Sequence, residues 1–189
     1  MTDDGVAYSY QEAMRRGVPL QEPDGTLIYP TTRSRPKPTF TLDPLDRALM
    51  AISVAVPVML TVFVAAQIPM MDQQVPVHFS WDGTVNRYGS PWEGFWTAAG
   101  VTVMIIGIAV LAKYPRVFNN PVELNSSNVQ QQYKNAVQML TWLNLAMAIM
   151  AVGMMGLWFE PLWFPLVWVG LALMGVSMVF FIRRLFMLR

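Results

Sequence analysis

Residues 75–92 read V-P-V-H-F-S-W-D-G-T-V-N-R-Y-G-S-P-W and stand between two long apolar runs. From 75 to 81 the residues alternate, with Val75, Val77, Phe79 and Trp81 on one side and Pro76, His78 and Ser80 on the other. That period of two is the spacing at which a strand sends successive side chains to opposite faces. Asp82-Gly83 follows, and glycine takes positive φ without a steric penalty, so the pair predicts a two-residue hairpin turn. Residues 84–88 return as the second strand, and Gly89-Ser90-Pro91 leads onward. Residues 72–92 are therefore expected to form a small hairpin-like cap. A lone hairpin is marginal in water, so its apolar face needs the ends of the neighbouring helices or the membrane interface for support.

Working outward, four apolar runs have the roughly 20 residues that a helix needs to cross a hydrocarbon core of about 30 Å. They cover 48–68, 94–112, 136–159 and 162–182. The first contains Pro57, which kinks a helix and frees a carbonyl; Ser53, four residues earlier, is placed to help. Trp92, Phe95 and Trp96 open the second run, where amphipathic rings suit the water–lipid boundary. Only Glu160 and Pro161 separate the third and fourth runs, which predicts an antiparallel helical hairpin. The expected fold class is thus an all-α membrane protein with four transmembrane helices over 48–182. A Pro-rich arm over 1–47 precedes them, and a short tail over 183–189 follows.

Composition agrees: 54% of the 189 residues are hydrophobic, only 13% are charged, and the mean hydropathy is +0.36. The charged residues are unevenly placed. Of 13 lysines and arginines, only Arg87 falls in the loop between the first two runs, and the connection between the last two has none. The positive-inside rule then puts both termini and the middle loop in the cytoplasm and the 72–92 loop outside. The expected location is a bacterial plasma membrane, crossed several times.

The N-terminus, M-T-D-D-G, lacks the basic-then-apolar order of a secretory leader, so the arm is expected to remain in the mature protein. Within it, Ser9 and Glu12 have capping-box spacing, and Arg15, Arg16 and Gly17 fit a helix end. The rest of the arm is rich in proline and basic residues, which predicts an extended segment that cannot build its own core. Tyr8, Tyr10, Leu27, Ile28 and Tyr29 are more apolar than a spacer requires, and they are candidates for docking the arm on a partner.

Candidate chemistry is sparse. There is no cysteine, hence no disulfide, thiolate nucleophile or Cys-ligated metal. His78 is the single histidine, and with Asp72, Asp82 and Glu93 it would make at most an incomplete ligand set; hydrogen bonding within the hairpin is the simpler role. No nucleophile is arranged with His78 and Asp82 for catalysis. The 15 methionines scatter through the spans as packing residues rather than gather as a copper site. The four runs carry no charged residue in their interiors, whereas ion and proton pathways usually do. Thr61, Thr97, Thr102, Thr141, Asn144 and Ser177, with several glycines, suit close helix packing instead. Gly153 and Gly156 lack the spacing of a dimer motif. In the middle loop, 113–135, Asn125-Ser126-Ser127 is expected to cap a helix running from about Asn128 into the third run. No phosphate-cradling loop or nucleic-acid patch is visible. No cofactor, metal or nucleic acid is expected; the lipid bilayer and other integral membrane proteins are the expected partners.

Two stretches carry a resemblance. P-V-H-F-S-W-D-G-T-V-N-R-Y-G-S at 76–90 resembles the proline, histidine–phenylalanine, glycine and glycine–serine signature of a bacterial membrane family with a domain of unknown function. That domain also occurs at the N-terminal side of SdpI-type immunity proteins. Y-P-R-V-F-N-N-P-V-E-L-N-S-S-N-V-Q-Q-Q-Y at 114–133 resembles the family's second motif, so the likeness extends over roughly 48–155. Its characteristic residues would here be Pro76, His78, Phe79, Gly83, Gly89, Asn119, Pro121, Asn128 and Tyr133, with Asp82 in the turn beside them. No chemistry attaches to those positions. The long arm and the stop after four spans depart from the SdpI-type pattern. The expectation is a non-catalytic accessory subunit or assembly factor of a larger plasma-membrane complex, respiratory or cell-envelope. The alternative is an SdpI-like immunity or signalling protein that meets an extracellular peptide toxin.

Overall fold

The structure is a computed structural model, described here for residues 5–189. Nine α-helices and β-strands order the described residues. Helix α1 (Tyr10–Arg16) and two-residue strands β1 (Leu20–Gln21) and β2 (Leu27–Ile28) lie in the arm. Helix α2 (Pro44–Gln67) leads to strands β3 (Val75–Phe79) and β4 (Val85–Gly89), and then come α3 (Pro91–Leu111), α4 (Val129–Gly156) and α5 (Phe164–Met187). Helices α2 to α5 are long and apolar enough to cross a membrane, which makes this a multi-pass membrane protein.

The helices begin where local chemistry starts them. Pro44 and Pro91 occupy first-turn positions, where a missing N–H costs nothing. Asn125 caps the entry to α4, its Oδ1 accepting from the backbone N–H groups of Ser127 and Asn128, each at 3.0 Å. Helix α4 is the central one. Inside its most apolar window 44% of residues are buried, against 17–22% in the other three spans. Helices α2, α3 and α5 each pack on α4, and α2 also packs on α3. The core gathers Val64, Ala98, Ile105, Met147, Ala148, Ala151 and Met155.

Close approach between α4 and α5 depends on glycine. A Cβ on Gly170 would lie 2.7 Å from the Ala146 carbonyl oxygen, and one on Gly153 would lie 2.9 Å from the Val167 nitrogen. Weakly polar side chains link the other helices. The hydroxyls of Thr61 and Thr102 share a 2.8 Å hydrogen bond between α2 and α3. Asn144, fully buried, donates from Nδ2 to the Ile105 carbonyl at 3.1 Å and to Ser53 Oγ at 3.4 Å, so one amide ties α4 to both α3 and α2. Ser53 itself donates to the Met50 carbonyl at 2.9 Å rather than serving the carbonyl freed by Pro57.

The arm differs from the expected extended segment. Ser9 Oγ accepts from the Glu12 N–H at 3.3 Å, and Gly17 ends α1 with φ +68°. Strand β1 pairs with β2, and Ala7, Ala13 and Leu20 make a small core of their own. The whole unit then folds onto the loop between α3 and α4. Ile28 bridges to Asn125, the Tyr29 N–H donates to the Leu124 carbonyl at 2.8 Å, and the Ser126 N–H donates to the Leu27 carbonyl at 2.8 Å. Arg35 Nη1 donates to the carbonyls of Arg116 and Phe118, each at 2.7 Å. The physical reason is backbone pairing: an irregular loop has unpaired N–H and C=O groups, and the arm supplies their partners. The arm and the 113–128 loop together form a cap over one end of the bundle, the arm end. The β3–β4 hairpin covers the other.

Candidate binding recess beneath the hairpin

The hairpin is built from short-range chemistry. Strands β3 and β4 are antiparallel, with Val75 opposite Gly89 and Phe79 opposite Val85, and irregular register around His78. The turn is longer than the two-residue form expected. The Gly83 N–H donates to the Ser80 carbonyl at 2.9 Å, the Ser80 N–H donates to the Thr84 carbonyl at 2.8 Å, and Gly83 has φ +87°. Trp81, Asp82 and Gly83 therefore form a three-residue loop with its glycine in the left-handed region. As a result Trp81 leaves the apolar face and sits at the tip, 81% exposed.

Asp82 holds that loop from inside. Its Oδ1 accepts from the Thr84 N–H at 3.0 Å and the Thr84 hydroxyl at 2.7 Å. Those donors hold its carboxyl below the ordinary carboxylate value. His78 is exposed, with Nδ1 2.5 Å from Asn86 Oδ1, and Asn86 Nδ2 donates in turn to Ser80 Oγ at 3.1 Å. The imidazole is thus held within the hairpin, by a side chain on the facing strand. Asp72, Asp82 and Glu93 do not gather around it; among the described residues no three metal-ligating side chains come together.

What the hairpin does build is a recess of about 130 Å³ where it meets α3 and α4. Val77 and Phe79 come from β3, Gly94, Ala98 and Val101 from α3, Ala151 and Met155 from α4, and Trp158 from the turn just after α4. Gly94 brings α3 against the indole, since a Cβ there would fall 2.2 Å from Trp158 Cζ2. An exposed ion pair, Arg87 with Glu93, lies on the rim. Gly83 seats the tip, where a Cβ would lie 2.8 Å from the Phe164 ring at the start of α5. Trp92 and Trp96, both more than half exposed, stand around the same end as an interfacial belt. An apolar hollow with one polar edge can take a single large apolar group and orient whatever is attached to it.

The motif residues divide between the two ends. Phe79 lines the recess, Gly83 and Gly89 shape the hairpin, Pro76 sits in β3, and His78 and Asp82 brace its turn region. Asn119, Pro121, Asn128 and Tyr133 lie at the arm end. There Tyr133 is buried and its hydroxyl donates to the Pro36 carbonyl at 3.4 Å, while Asn128 Nδ2 donates to the Glu123 carbonyl at 3.0 Å. Leu27, Ile28 and Tyr29 are used within the chain, with Tyr29 packed on Leu124, Val129 and Tyr133. Burial pushes the Tyr29 phenol above its ordinary pKa. Tyr8 and Tyr10 remain 66% and 57% exposed, together with Met14 at 48%.

Ala151 and Met155 on α4 and Trp158 just beyond it look like ordinary span residues in the sequence, which hides their place in the recess. A ladder of amides on α4 is equally hidden. Gln132 Nε2 donates to the Leu185 and Leu188 carbonyls, Asn135 Nδ2 to the Phe181 carbonyl, and Gln138 Nε2 to the buried Asp46, while Gln138 Oε1 accepts from Arg184. Their recurrence at every third residue was the available signal.

The class defined by this architecture is a four-span membrane protein with a hairpin-covered recess at one end and a folded cap at the other. Residues 55–103 match the family model of a domain of unknown function, DUF1648. That segment contains the second half of α2, the hairpin and the first part of α3. It is shorter than the 48–155 suggested by the motifs, and the 114–133 stretch lies outside it. Comparison with curated proteins and with solved structures returns no match.

Proposed function

We propose that the protein is a non-catalytic accessory subunit or assembly factor of a larger complex in a bacterial plasma membrane. In this reading the arm cap faces the cytoplasm and the hairpin faces outward. The observation that carries it is the exposed apolar cluster on the cap. Tyr10 and Met14 stand one helical turn apart on α1, with Tyr8 beside them. Helix α1 is braced by its own caps and by the Arg16–Glu12 pair at 2.8 Å, and the arm is hydrogen-bonded to the loop below. A rigid platform presenting aromatic and methionine side chains suits the anchor of a protein interface. The other integral membrane subunits would cover the lipid-facing sides of the spans.

The test is purification through a C-terminal tag, in mild detergent and at native expression. Stoichiometric recovery with one membrane complex is the expected result. Combined Tyr10→Ser and Met14→Ser should lower that recovery at least about tenfold, since burying each side chain is worth roughly 1.5–3 kcal/mol. Recovery of the protein alone would sink the subunit reading.

The recess favours one second reading, an SdpI-like immunity role in which an apolar side chain of an extracellular peptide enters beneath the hairpin. A deletion strain would then become sensitive to the peptide. The wild-type gene would restore resistance, whereas Val101→Phe, which fills the recess, would not. Unchanged sensitivity of the deletion strain removes this reading.

A further inference from the structure

At the arm end, α4 forms the floor of a groove between the last turn of α3 and the end of α5. Ala136, Met139 and Leu140 make the floor, Leu111 and Leu185 the walls, and the loop through Phe118–Asn120 the roof, around a volume of about 350 Å³. Apart from Asn119 in the roof, two side chains interrupt this apolar lining, Asn120 and Asn135. Asn135 is 1% exposed. Its Nδ2 donates to the Phe181 carbonyl at 3.1 Å, which fixes the amide, because turning it over would set two acceptors face to face. Its Oδ1 is buried without a hydrogen-bond partner, and so is Oδ1 of Asn120. Gln132 and Asn144 also leave an amide oxygen unpaired, but neither lines the groove.

A buried acceptor left alone keeps the cost of its lost hydration uncompensated. Two such acceptors on one apolar groove call for a molecule that brings donors on an apolar body. The surrounding end of the protein is basic, with Lys113 before the loop and Arg183 and Arg189 at the end of the chain, so an anionic phosphate is favoured beside the donor. We propose that this groove binds phosphatidylethanolamine, with the N–H groups of its ammonium on Asn120 and Asn135 and its acyl chains along Met139 and Leu140. Phosphatidylcholine has the same net charge, but three methyl groups replace its N–H donors, so it cannot donate to the two amide oxygens and its bulkier head sits further from them. This site is independent of the docking face on α1 and of the recess beneath the hairpin.

The experiment reconstitutes the full chain into vesicles of equimolar phosphatidylethanolamine and phosphatidylcholine, repurifies it in mild detergent, and measures retained lipid by mass spectrometry. The expected result is about tenfold enrichment of phosphatidylethanolamine, the effect of one charge-assisted hydrogen bond. Asn135→Leu should return the ratio to that of the vesicles. Asn120→Ala, a change in the roof that leaves the helix pairing intact, should do the same and serves if the first variant folds poorly. Equal retention of both lipids by the wild type overturns the proposal. So does selectivity that survives both substitutions, which would place the preference elsewhere on the protein.

Discussion

Asn144 shows how much one side chain organises in a membrane. Its amide reaches carbonyl and hydroxyl oxygens on two other helices. Asn144→Ala should destabilise the bundle by about 1 kcal/mol, the usual size of an interhelical polar contact in lipid, as measured by unfolding in mixed detergent. A second residue-level expectation concerns Asp82. Its carboxyl titrates below the ordinary value of 3.8 because the ionised form accepts from Thr84. The stabilisation is therefore present above about pH 3.8 and is lost as the pH falls through the lower folded-state value. Exchange of the Ser80 and Thr84 amides should accelerate in that acid window, and Asp82→Asn should remove the dependence. The polarity of Asn144 was legible in the sequence, as was the Asp82-Gly83 turn. The partners of Asn144 were not, because they depend on which helices meet, and a two-residue turn could not be told from the three-residue loop until Ser80 was seen to pair with Thr84.

Among the elements, the arm departs furthest from expectation. Its helix was readable from Ser9, Glu12 and Gly17, since caps act over three or four residues. Its docking was not readable, because the partners of residues 27–36 lie in the loop and helix start at 116–133, and no local pattern encodes a pairing at that range. Arg35 is the strongest single clasp, with two hydrogen bonds at 2.7 Å to backbone carbonyls. Arg35→Ala should loosen the arm by about 2–3 kcal/mol. Limited trypsin digestion reads this as faster cleavage after Arg33, since Arg35 and Lys37 each precede a proline and resist trypsin, while the bundle stays intact. Cleavage at the wild-type rate would mean that the Ile28–Asn125 pairing suffices without the guanidinium.

For the whole molecule, four spans and an antiparallel final pair were evident from apolar run lengths and from the two-residue Glu160-Pro161 connection. The central place of α4 was not, since its run is no more apolar than the others; Gln132 and Asn135, which looked like loop chemistry, join it to α5, while Asn144, read as a packing residue, joins it to α2 and α3. The absence of native cysteine makes the proposed orientation directly measurable. Ser9→Cys and Asp72→Cys, examined separately with a membrane-impermeant maleimide on intact cells, should differ, with only the second labelled. Labelling of Ser9→Cys alone would invert the orientation.

The clasp between the arm and the loop also sets an order of events during synthesis. Ile28 pairs with Asn125, 97 residues further along the chain. At about 5–20 residues per second the ribosome needs roughly 5–20 s to make that stretch. Throughout this interval α2 and α3 must enter the bilayer while the arm groups that pair with the loop, such as the Leu27 carbonyl and the Tyr29 N–H, wait without their partners. A mutation that delays insertion of the first two spans would lengthen the wait, and newly made chains would be cut in the arm although mature ones resist.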